Sequence, residues 1–281
     1  MVNIAKLTYA FIGAGNMSGA ILGGMVKNGM PADNIIATNR SEDKQTALKQ
    51  AYNITTELNN EMAIKQADVI ILGLKPQMMV SLLQNLVQQG CHFDNKLIIT
   101  VAAGLHVQKY KDVLGNVRII RAMPNTPSLV GLGLTGLYSG SDKNTFNDTI
   151  IEQDKFIANS VFESVGKTIW LEQESQIDDI SAVSGSGPAY FFLFMQYMME
   201  KAEQLGFDQQ HAKNMVMQTA LGSAQMAAQS ELSFETLRLN VTSPGGSTAE
   251  AIKSFEQDKL NHSVYDALDA AIARAKEMSK L

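Results

Sequence analysis

Short apolar runs alternate with longer segments of helical spacing from the start of the chain to Leu171. Runs of this kind, bounded by polar and turn residues, predict buried strands, and the segments between them predict amphipathic helices. The predicted strands cover residues 9–12, 34–39, 67–74, 96–101, 117–121, 131–138 and 167–171, and the predicted helices cover residues 16–28, 41–52, 78–89 and 145–164. Because the two kinds of element alternate and residues 67–74 are apolar enough for burial on both faces, we predict an α/β fold with a Rossmann-type doubly wound sheet.

Strand patterns stop at Glu172, and almost every later segment has helical spacing. The predicted helices there cover residues 176–183, 188–205, 208–229, 233–239, 247–257 and 260–279. We therefore expect two domains, a Rossmann domain over residues 1–168 and an all-helical domain over residues 169–281. Residues 190–199 are apolar almost all round, so their helix must be buried on every side. Because a small helical domain achieves such burial more easily with a second subunit, we expect an oligomer.

The first predicted strand is followed by a glycine-rich turn and then by a helix that begins near Asn16. Gly13 permits a turn that a β-carbon would obstruct, and Gly15 lets the backbone approach a pyrophosphate. The free N–H groups at the start of the helix attract that anion. The third small position is Ser18, so the fingerprint is G-x-G-x-x-S and not the strict form. Similar turns occur without a ligand, but the position of this one in a strand-turn-helix unit predicts a dinucleotide site.

The end of the second predicted strand carries Asn39, Arg40 and Ser41. Sites for NAD usually place Asp or Glu there to accept hydrogen bonds from the ribose 2′-hydroxyl group. A guanidinium group with neutral donors around it suits a 2′-phosphate instead, which a carboxylate would repel. We therefore predict NADP in preference to NAD. The alternative, in which Arg40 is a solvated surface charge and Glu42 or Asp43 takes the acidic role, remains open.

Three later segments have compositions suited to a bound ligand. Lys75 follows the third predicted strand, at the carboxyl end where doubly wound sheets bind ligands, and it can meet a phosphate or a ribose. Residues 102–104 follow the fourth predicted strand, and their small side chains let a flat nicotinamide ring lie against the backbone. Residues 241–248 are rich in glycine and serine and precede a helix, so their N–H groups can bind a carboxylate. A plain capped loop has the same composition and remains the alternative.

Composition narrows the range of partners. The net charge of −5 at pH 7 argues against a nucleic-acid backbone, because proteins that bind one carry a basic face. The single cysteine, Cys91, excludes an internal disulfide or a multi-cysteine metal site, and it fits a reducing compartment. No apolar run is long enough to span a membrane, and we expect no cleavable signal before the first strand. We therefore expect a cytoplasmic protein without metal, nucleic-acid or membrane partners.

Six segments together resemble one family, the pyrroline-5-carboxylate reductases, which carry out the last step of proline biosynthesis. The segments follow the family's order and cover residues 11–17, 75–77, 102–104, 121–127, 184–190 and 241–246. The last three are far more specific than the glycine-rich turn. The resemblance implies a Rossmann domain, a helical domain that dimerises by interlocking, and NADPH-dependent reduction of 1-pyrroline-5-carboxylate to L-proline. It implies a homodimer, with a higher oligomer built from dimers as an alternative.

The resemblance also implies which residues bind the cofactor and the substrate. The expected cofactor-binding residues are Ile12, Gly13, Ala14, Gly15, Asn16, Met17, Asn39, Arg40, Asn60, Gly73, Leu74, Lys75, Pro76, Val101, Ala102 and Ala103. The expected substrate-binding residues are Asn240, Ser243, Gly245, Gly246, Ser247 and Thr248. In this assignment residues 13–17 hold the pyrophosphate, while Asn39 and Arg40 face the 2′-phosphate. The expected cofactor is NADPH, with NADH as an alternative.

Thr248 is the catalytic residue that the resemblance implies, with its hydroxyl group near the ring nitrogen of the substrate. Gly246, Ser247 and Thr248 would offer donors to the substrate carboxylate. The chain departs from the family pattern where Ser18 and Ser247 replace the alanines commonly found, and neither change should prevent binding. Glu174 corresponds only loosely to a family glutamate near the substrate.

The chemistry of a cyclic imine explains why the sequence needs no strong acid at the site. The imine nitrogen can be protonated before hydride reaches the neighbouring carbon, whereas reduction of a ketone creates an alkoxide that needs a proton donor. The four histidines accordingly show no partner motif. The task of the protein then becomes orientation of the reactants and selection of the iminium form.

Two other functions share part of this pattern. A β-hydroxyacid dehydrogenase has the same layout, but it needs a lysine early on the helix after residues 184–188, and the first lysine there is Lys201. A non-catalytic NADP(H) sensor, which uses its helical domain to bind partners, is the second alternative. Turnover of NADPH with any imino acid would distinguish an enzyme from the sensor.

Overall fold

The computed structural model describes residues 2–278, and within them eight strands form one sheet. Ser279, the predicted end of the last helix, lies outside the described residues. The strands are β1 (Tyr9–Ile12), β2 (Ile35–Thr38), β3 (Thr55–Glu57), β4 (Val69–Leu72), β5 (Leu97–Thr100), β6 (Arg118–Met123), β7 (Gly133–Ser139) and β8 (Gly166–Trp170). Their order across the sheet is β3-β2-β1-β4-β5-β6-β7-β8, and only the β6–β7 pair of this described sheet is antiparallel.

Helices connect most of these strands. They are α1 (Asn16–Lys27), α2 (Glu42–Tyr52), α3 (Asn60–Gln66), α4 (Pro76–Gln88), α5 (Val107–Leu114) and α6 (Asp148–Glu163), followed after β8 by α7 (Gln176–Ile180). The strand order reverses at β1, which lies between β2 and β4. The predicted Rossmann-type doubly wound sheet is therefore confirmed.

The central strands are buried on both faces because their residues alternate between two apolar clusters. Tyr9 and Phe11 of β1 belong to the cluster that includes Ile21 of α1. Ala10 and Ile12 point the other way, into the cluster that includes residues of α4 and α5. Such burial explains why the first predicted strands are almost entirely apolar.

Besides short 3-10 helices, the first half of the chain contains one strand and two α-helices that the apolar pattern did not predict. They are β3, α3 and α5. All seven predicted strands have counterparts in the structure, and the strand predicted at residues 67–74 is the shorter β4.

Strand β6 begins with an arginine that is paired inside the protein. Nε of Arg118 donates to Oδ1 and Oδ2 of Asp154, at 3.1 Å and 3.0 Å, and its Nη1 donates to the backbone oxygen of Asn95 at 2.9 Å. Asp154 lies on α6 and is fully buried, whereas Arg118 is half-buried. Burial raises the pKa of Asp154, and the hydrogen bonds and charge of Arg118 oppose that shift.

The described chain divides into two compact units. The first contains residues 2–185 and 272–278, and the second contains residues 186–271. The second unit is helical, as predicted, and is built from α8 (Gly187–Gln204), α9 (Gln209–Ala228), α10 (Phe234–Asn240), α11 (Ser247–Gln257) and the first part of α12 (Leu260–Met278). The expected domain boundary between residues 168 and 169 falls inside β8, and as a division of function it stays a prediction.

Helix α8 was expected to be buried on every side, but in the single chain it is not. The side chains of Phe191, Phe192 and Tyr197 are 72%, 65% and 59% exposed. An exposed apolar face of this size is typical of a surface that another protein covers. Among the helices within residues 2–278, none combines the length and the apolar character needed to cross a membrane.

Candidate functional site

The carboxyl ends of four parallel strands meet at one edge of the sheet. Ile12 of β1 pairs with Thr38 of β2 and with Leu72 of β4, and Leu72 pairs in turn with Thr100 of β5. The residues that follow these strands therefore lie along the same edge, where doubly wound sheets bind ligands. This edge brings together the predicted cofactor residues that follow β1, β2, β4 and β5.

The turn after β1 requires glycine at its first position. Gly13 has φ +84°, and a β-carbon there would lie 2.7 Å from Cδ2 of Leu74. The N–H of Gly13 donates to Oγ1 of Thr38 at 3.2 Å, and the N–H of Ala14 donates to the Thr38 backbone oxygen at 2.7 Å. The turn is therefore fixed to the end of β2 before any ligand binds.

Gly15 differs from Gly13 because it borders open space. A β-carbon on Gly15 would meet nothing within 4 Å. Gly15 is also the N-cap residue of α1, and no side chain caps that helix. The first N–H groups of an α-helix have no partner within the helix, so those of α1 remain available to an anion. These features fit the pyrophosphate of a dinucleotide.

Ser18 replaces a small apolar residue of the family pattern without facing the open side of the turn. Its Oγ donates to the backbone oxygen of Gly13 at 3.4 Å, and the residue is buried. A β-carbon on Gly73 would lie 2.0 Å from this Oγ. The hydroxyl group of Ser18 is therefore accommodated because residue 73 is a glycine.

The two residues predicted to face the 2′-phosphate have different surroundings. Asn39 uses its side chain within the protein, since Nδ2 donates to the Ala14 backbone oxygen at 2.7 Å and Oδ1 accepts from the N–H of Ser41 at 2.9 Å. Arg40 is exposed, and its Nη2 lies 3.5 Å from Sδ of Met78. Within residues 2–278, no recorded ion pair includes Arg40. Its charge is thus available to a phosphate.

The two alternative acidic residues, Glu42 and Asp43, are exposed in the first turn of α2. Carboxylates at that position are stabilised by the partial positive charge of the helix N terminus, which accounts for them without a ligand. Whether either residue contacts the cofactor stays a prediction.

The remaining predicted cofactor residues occupy helix starts and the segment after β5. Lys75 is the exposed N-cap residue of α4, Pro76 is the first residue of that helix, and Asn60 begins α3. After β5, the N–H of Val101 donates to the Leu72 backbone oxygen at 3.1 Å. The structure thus places Asn60 on the helix after β3 and the other residues after β4 and β5.

One glycine in the segment after β5 has a left-handed backbone conformation. Gly104 has φ +73°, and a β-carbon there would lie 3.4 Å from the backbone oxygen of Met278 at the end of α12. The positive φ therefore favours glycine at this position, while the distance to Met278 is an ordinary van der Waals contact.

The predicted substrate residues cluster in one loop of the second unit. The loop runs from Asn240, the last residue of α10, to the first turn of α11. Gly245 has φ +71°, and the N–H of Gly246 donates to the Ser243 backbone oxygen at 3.0 Å. Gly246 is the N-cap residue of α11 without a side-chain cap, and Thr248 is exposed in the first turn. The first N–H groups of α11 are therefore available to a carboxylate.

A partly buried polar cluster, which the sequence did not predict, lies on the sheet near β5 and β6. It consists of Thr100, His106, Tyr110, Arg121 and Glu174, and we refer to it as the Arg121 cluster. Nη1 of Arg121 donates to Oε1 of Glu174 at 2.7 Å. The Tyr110 hydroxyl lies 2.6 Å from Oγ1 of Thr100, and burial raises the pKa of Tyr110 to about 12. A signal was present in the sequence, because the charged Arg121 directly follows two isoleucines at the end of a predicted strand.

Glu174, the loosely matched residue, has a defined place in the first unit. Its Oε1 accepts hydrogen bonds from Arg121 and from the N–H of Val107, both at 2.7 Å. A role beside the substrate stays a prediction. Lys201, the first lysine after the glycine-rich break, lies in the last turn of α8, far from the start that a β-hydroxyacid dehydrogenase would need.

Comparison with known proteins agrees with this arrangement. A family model described as pyrroline-5-carboxylate reductase dimerisation matches residues 174–278, and one described as NADP oxidoreductase, coenzyme F420-dependent, matches residues 8–104. A pyrroline-5-carboxylate reductase from Vibrio alginolyticus is 46% identical over 274 residues, which is 97% of each chain.

Solved structures give the same result. A pyrroline-5-carboxylate reductase from Coxiella burnetii has a TM-score of 0.89 and 40% identity, covering 98% of this chain and 99% of that chain. The pyrroline carboxylate reductase of Plasmodium falciparum, whose crystal structure has NADP bound, has a TM-score of 0.84 and 30% identity, covering 99% of this chain and 100% of that chain. The chain therefore belongs to the pyrroline-5-carboxylate reductase family.

Proposed function

We propose that the protein reduces 1-pyrroline-5-carboxylate to L-proline with NADPH, by hydride transfer to the protonated cyclic imine. The observation that carries the proposal is the 46% identity to a reductase of that name over 97% of both chains. The aligned region therefore covers both the edge of the sheet that fits a dinucleotide and the loop that fits a carboxylate.

The cofactor site in this proposal is the edge of the sheet after β1, β2, β4 and β5. NADPH supplies the hydride when it is bound. The uncapped start of α1 and the open space at Gly15 fit its pyrophosphate. The exposed Arg40, which is in no recorded ion pair within residues 2–278, fits its 2′-phosphate. Ala102 is buried and Ala103 partly exposed, so no large side chain at these two positions obstructs the nicotinamide ring. The charge of Arg40 is the reason to propose a preference for NADPH over NADH.

The substrate site in this proposal is the loop from Asn240 to Thr248. The first N–H groups of α11 donate to the substrate carboxylate, and the Thr248 hydroxyl lies near the ring nitrogen. Support comes from the glycine N-cap of α11, which leaves these groups without a competing side chain. Thr248 then orients the iminium form, so that no stronger acid is needed.

The active protein is proposed to be a homodimer in the cytoplasm. The dimerisation family model covers residues 174–278, and the exposed aromatic face of α8 lies within that range. A second copy of the chain would cover this face. The single cysteine, Cys91, fits a reducing compartment.

The test is oxidation of NADPH with 1-pyrroline-5-carboxylate as the substrate, repeated with NADH. We expect rapid turnover with a clear preference for NADPH. Equal rates with NADPH and NADH would support the reductase activity but reject the proposed role of Arg40 in binding the 2′-phosphate. Absence of turnover, in protein shown to bind NADPH, would favour another imine substrate or the sensor. Light scattering after size-exclusion chromatography measures the oligomer in the same preparation.

A further inference from the structure

The Arg121 cluster places a charged residue on a buried face of the sheet. Arg121 is opposite Thr100 in the β5–β6 register and opposite Tyr138 in the β6–β7 register. Because side chains alternate along a strand, Arg121 lies on the same face as Ile119, within the second apolar cluster. It is 1% exposed. A buried arginine is costly unless it is paired and hydrogen-bonded, so its partners matter.

Glu174 is the partner that makes burial of Arg121 tolerable. Among the described residues, it is the only carboxylate in a recorded ion pair with Arg121, at 2.7 Å from Nη1. Nη2 of Arg121 is buried and has no partner within residues 2–278. Nη1 also lies 3.4 Å from Nδ1 of His106, so Glu174 is the charged partner and His106 a second polar neighbour of the guanidinium group.

Oε1 of Glu174, which accepts from Arg121, also caps a helix from a distant part of the chain. It accepts the N–H of Val107, the first residue of α5, at 2.7 Å. His106, the N-cap residue of α5, makes no side-chain cap, and its Nδ1 lies 3.5 Å from Oε1 of Glu174. The start of α5 is therefore held by Arg121 and Glu174 together and not by its own sequence.

The segment between β5 and α5 is consequently fixed at both ends. At its start, Oγ1 of Thr100 accepts from the N–H of Ala102 at 3.3 Å and contacts the Tyr110 hydroxyl at 2.6 Å. At its end, Glu174 holds Val107. The residues between these two points include Ala102 and Ala103, which the proposed function assigns to the nicotinamide ring.

We propose that Arg121 and Glu174 are positioning residues that hold the segment from Val101 to His106 in the shape that receives the nicotinamide ring. The inference rests on the proposed function for the identity of the ligand. It needs no contact between either residue and the cofactor. Hydride transfer is sensitive to placement, since a displacement of about 1 Å can lower a rate by roughly a hundredfold.

The test compares Arg121→Met and Glu174→Gln with Arg118→Met as the matched control. Arg118 lies on the same strand and also has a buried carboxylate partner, Asp154, but it contacts neither α5 nor the segment after β5. Arg118→Met should therefore lose a similar amount of stability, so that an effect of stability alone would appear in the control as well. Arg121→Lys, which keeps the charge but not the planar fork, serves as the conservative variant.

The affinities for two ligands distinguish a positioning role from a general loss of folded structure. NADPH carries the nicotinamide ring, whereas adenosine 2′,5′-bisphosphate carries only the adenine end. We expect Arg121→Met and Glu174→Gln to lower kcat by roughly ten- to a hundredfold and to lower the affinity for NADPH. Their affinity for the bisphosphate should stay within about twofold of the wild-type value. We expect Arg121→Lys to recover part of kcat and Arg118→Met to leave both affinities unchanged. Equal weakening of both ligands, or the same loss of kcat in Arg118→Met, would overturn the inference.

Hydrogen exchange of the ligand-free protein tests the positioning role without assuming the proposed function, because it needs neither cofactor nor substrate. We expect faster exchange over residues 101–107 in Arg121→Met and Glu174→Gln, and no change there in Arg118→Met. Unchanged exchange in the first two variants would contradict the positioning role even if the reductase assignment holds. Wild-type protein that neither binds NADPH nor reduces the imine would reject the proposed function, while the exchange comparison would still decide whether Arg121 and Glu174 hold the segment.

Discussion

Replacing Gly15 with alanine should separate folding from cofactor binding. Gly15 has φ −84° and ψ −164°, which alanine adopts without strain, and a β-carbon there meets nothing within 4 Å. Alanine restricts the unfolded chain, which stabilises a fold by roughly 0.4–1 kcal/mol, but it is a poorer N-cap residue than glycine by a similar amount. We therefore expect Gly15→Ala to unfold close to the wild-type temperature. The added methyl group instead fills the open space where the pyrophosphate is proposed to bind.

Gly13→Ala is the matched comparison, two residues earlier in the same turn. Gly13 has φ +84°, and its β-carbon would lie 2.7 Å from Cδ2 of Leu74. The left-handed backbone costs a residue with a β-carbon about 1–2 kcal/mol, and Leu74 must also move. Since 1 kcal/mol shifts the unfolding midpoint of a large domain by about 2–4 °C, Gly13→Ala should unfold at least about 2 °C below the wild type.

The assay measures thermal unfolding without ligand and then NADPH affinity by fluorescence titration. We expect Gly15→Ala to bind NADPH at least about tenfold more weakly, which corresponds to about 1.4 kcal/mol, with its unfolding temperature preserved. Affinity within twofold of the wild type would show that the backbone at Gly15 does not approach the cofactor. A fall in unfolding temperature as large as that of Gly13→Ala would refute the reasoning from open space.

Tyr110, Thr248, Arg40 and Phe191 can each be tested by a single substitution. Because the pKa of Tyr110 is about 12 in the folded state against its usual value of 10, the unfolded state loses the proton first. The stability advantage of the wild type over Tyr110→Phe should therefore fall by about 2 kcal/mol between pH 10 and pH 12, as measured by urea unfolding, and a constant difference would contradict this. Thr248→Ala should lower imine turnover at least about tenfold and leave NADPH affinity nearly intact, whereas equal loss of both would reject the role of its hydroxyl group. Arg40→Ala should lower the affinity for NADPH by about tenfold or more and leave the affinity for NADH unchanged, as measured by titration of both cofactors. Equal effects on both affinities would favour the alternative in which Arg40 is a solvated surface charge. Phe191→Glu, at a side chain that is 72% exposed in the single chain, should shift the protein from dimer to monomer in light scattering with its helical circular dichroism retained. A dimer of unchanged stability would place the interface elsewhere.

The sheet was predictable from the sequence wherever burial leaves an apolar run. Strands β1, β4 and β5 are buried along their whole length, so each is almost purely apolar. Strand β3 was missed because its three residues, Thr55, Thr56 and Glu57, are partly exposed at the edge of the sheet. Without an apolar run, such a strand is specified by pairing with β2 and not by local pattern.

Helix α5 shows a different limit of sequence reasoning. It has eight residues, of which Val107 and Tyr110 are buried, and its N-cap residue supplies no side-chain cap. The acceptor for its first N–H is Glu174, 67 residues later in the chain. Local capping signals therefore cannot reveal either the start of α5 or the role of Glu174. The glycine-rich turn was predictable because its requirement is local, namely a positive φ at Gly13.

The helix starts explain why glycine stands at the two proposed anion sites. Four helices of the described chain, α3, α6, α9 and α10, are capped by their own Asn, Asp or Ser side chain, which uses an N–H group at the start of the helix. Helices α1 and α11 have Gly15 and Gly246 as N-cap residues, with no side-chain cap. Replacing a capping side chain by glycine costs only a few tenths of a kcal/mol, so the loss to the fold is small. The N–H groups that remain free suit a pyrophosphate at α1 and a carboxylate at α11, which are the two anions that the proposed reaction requires.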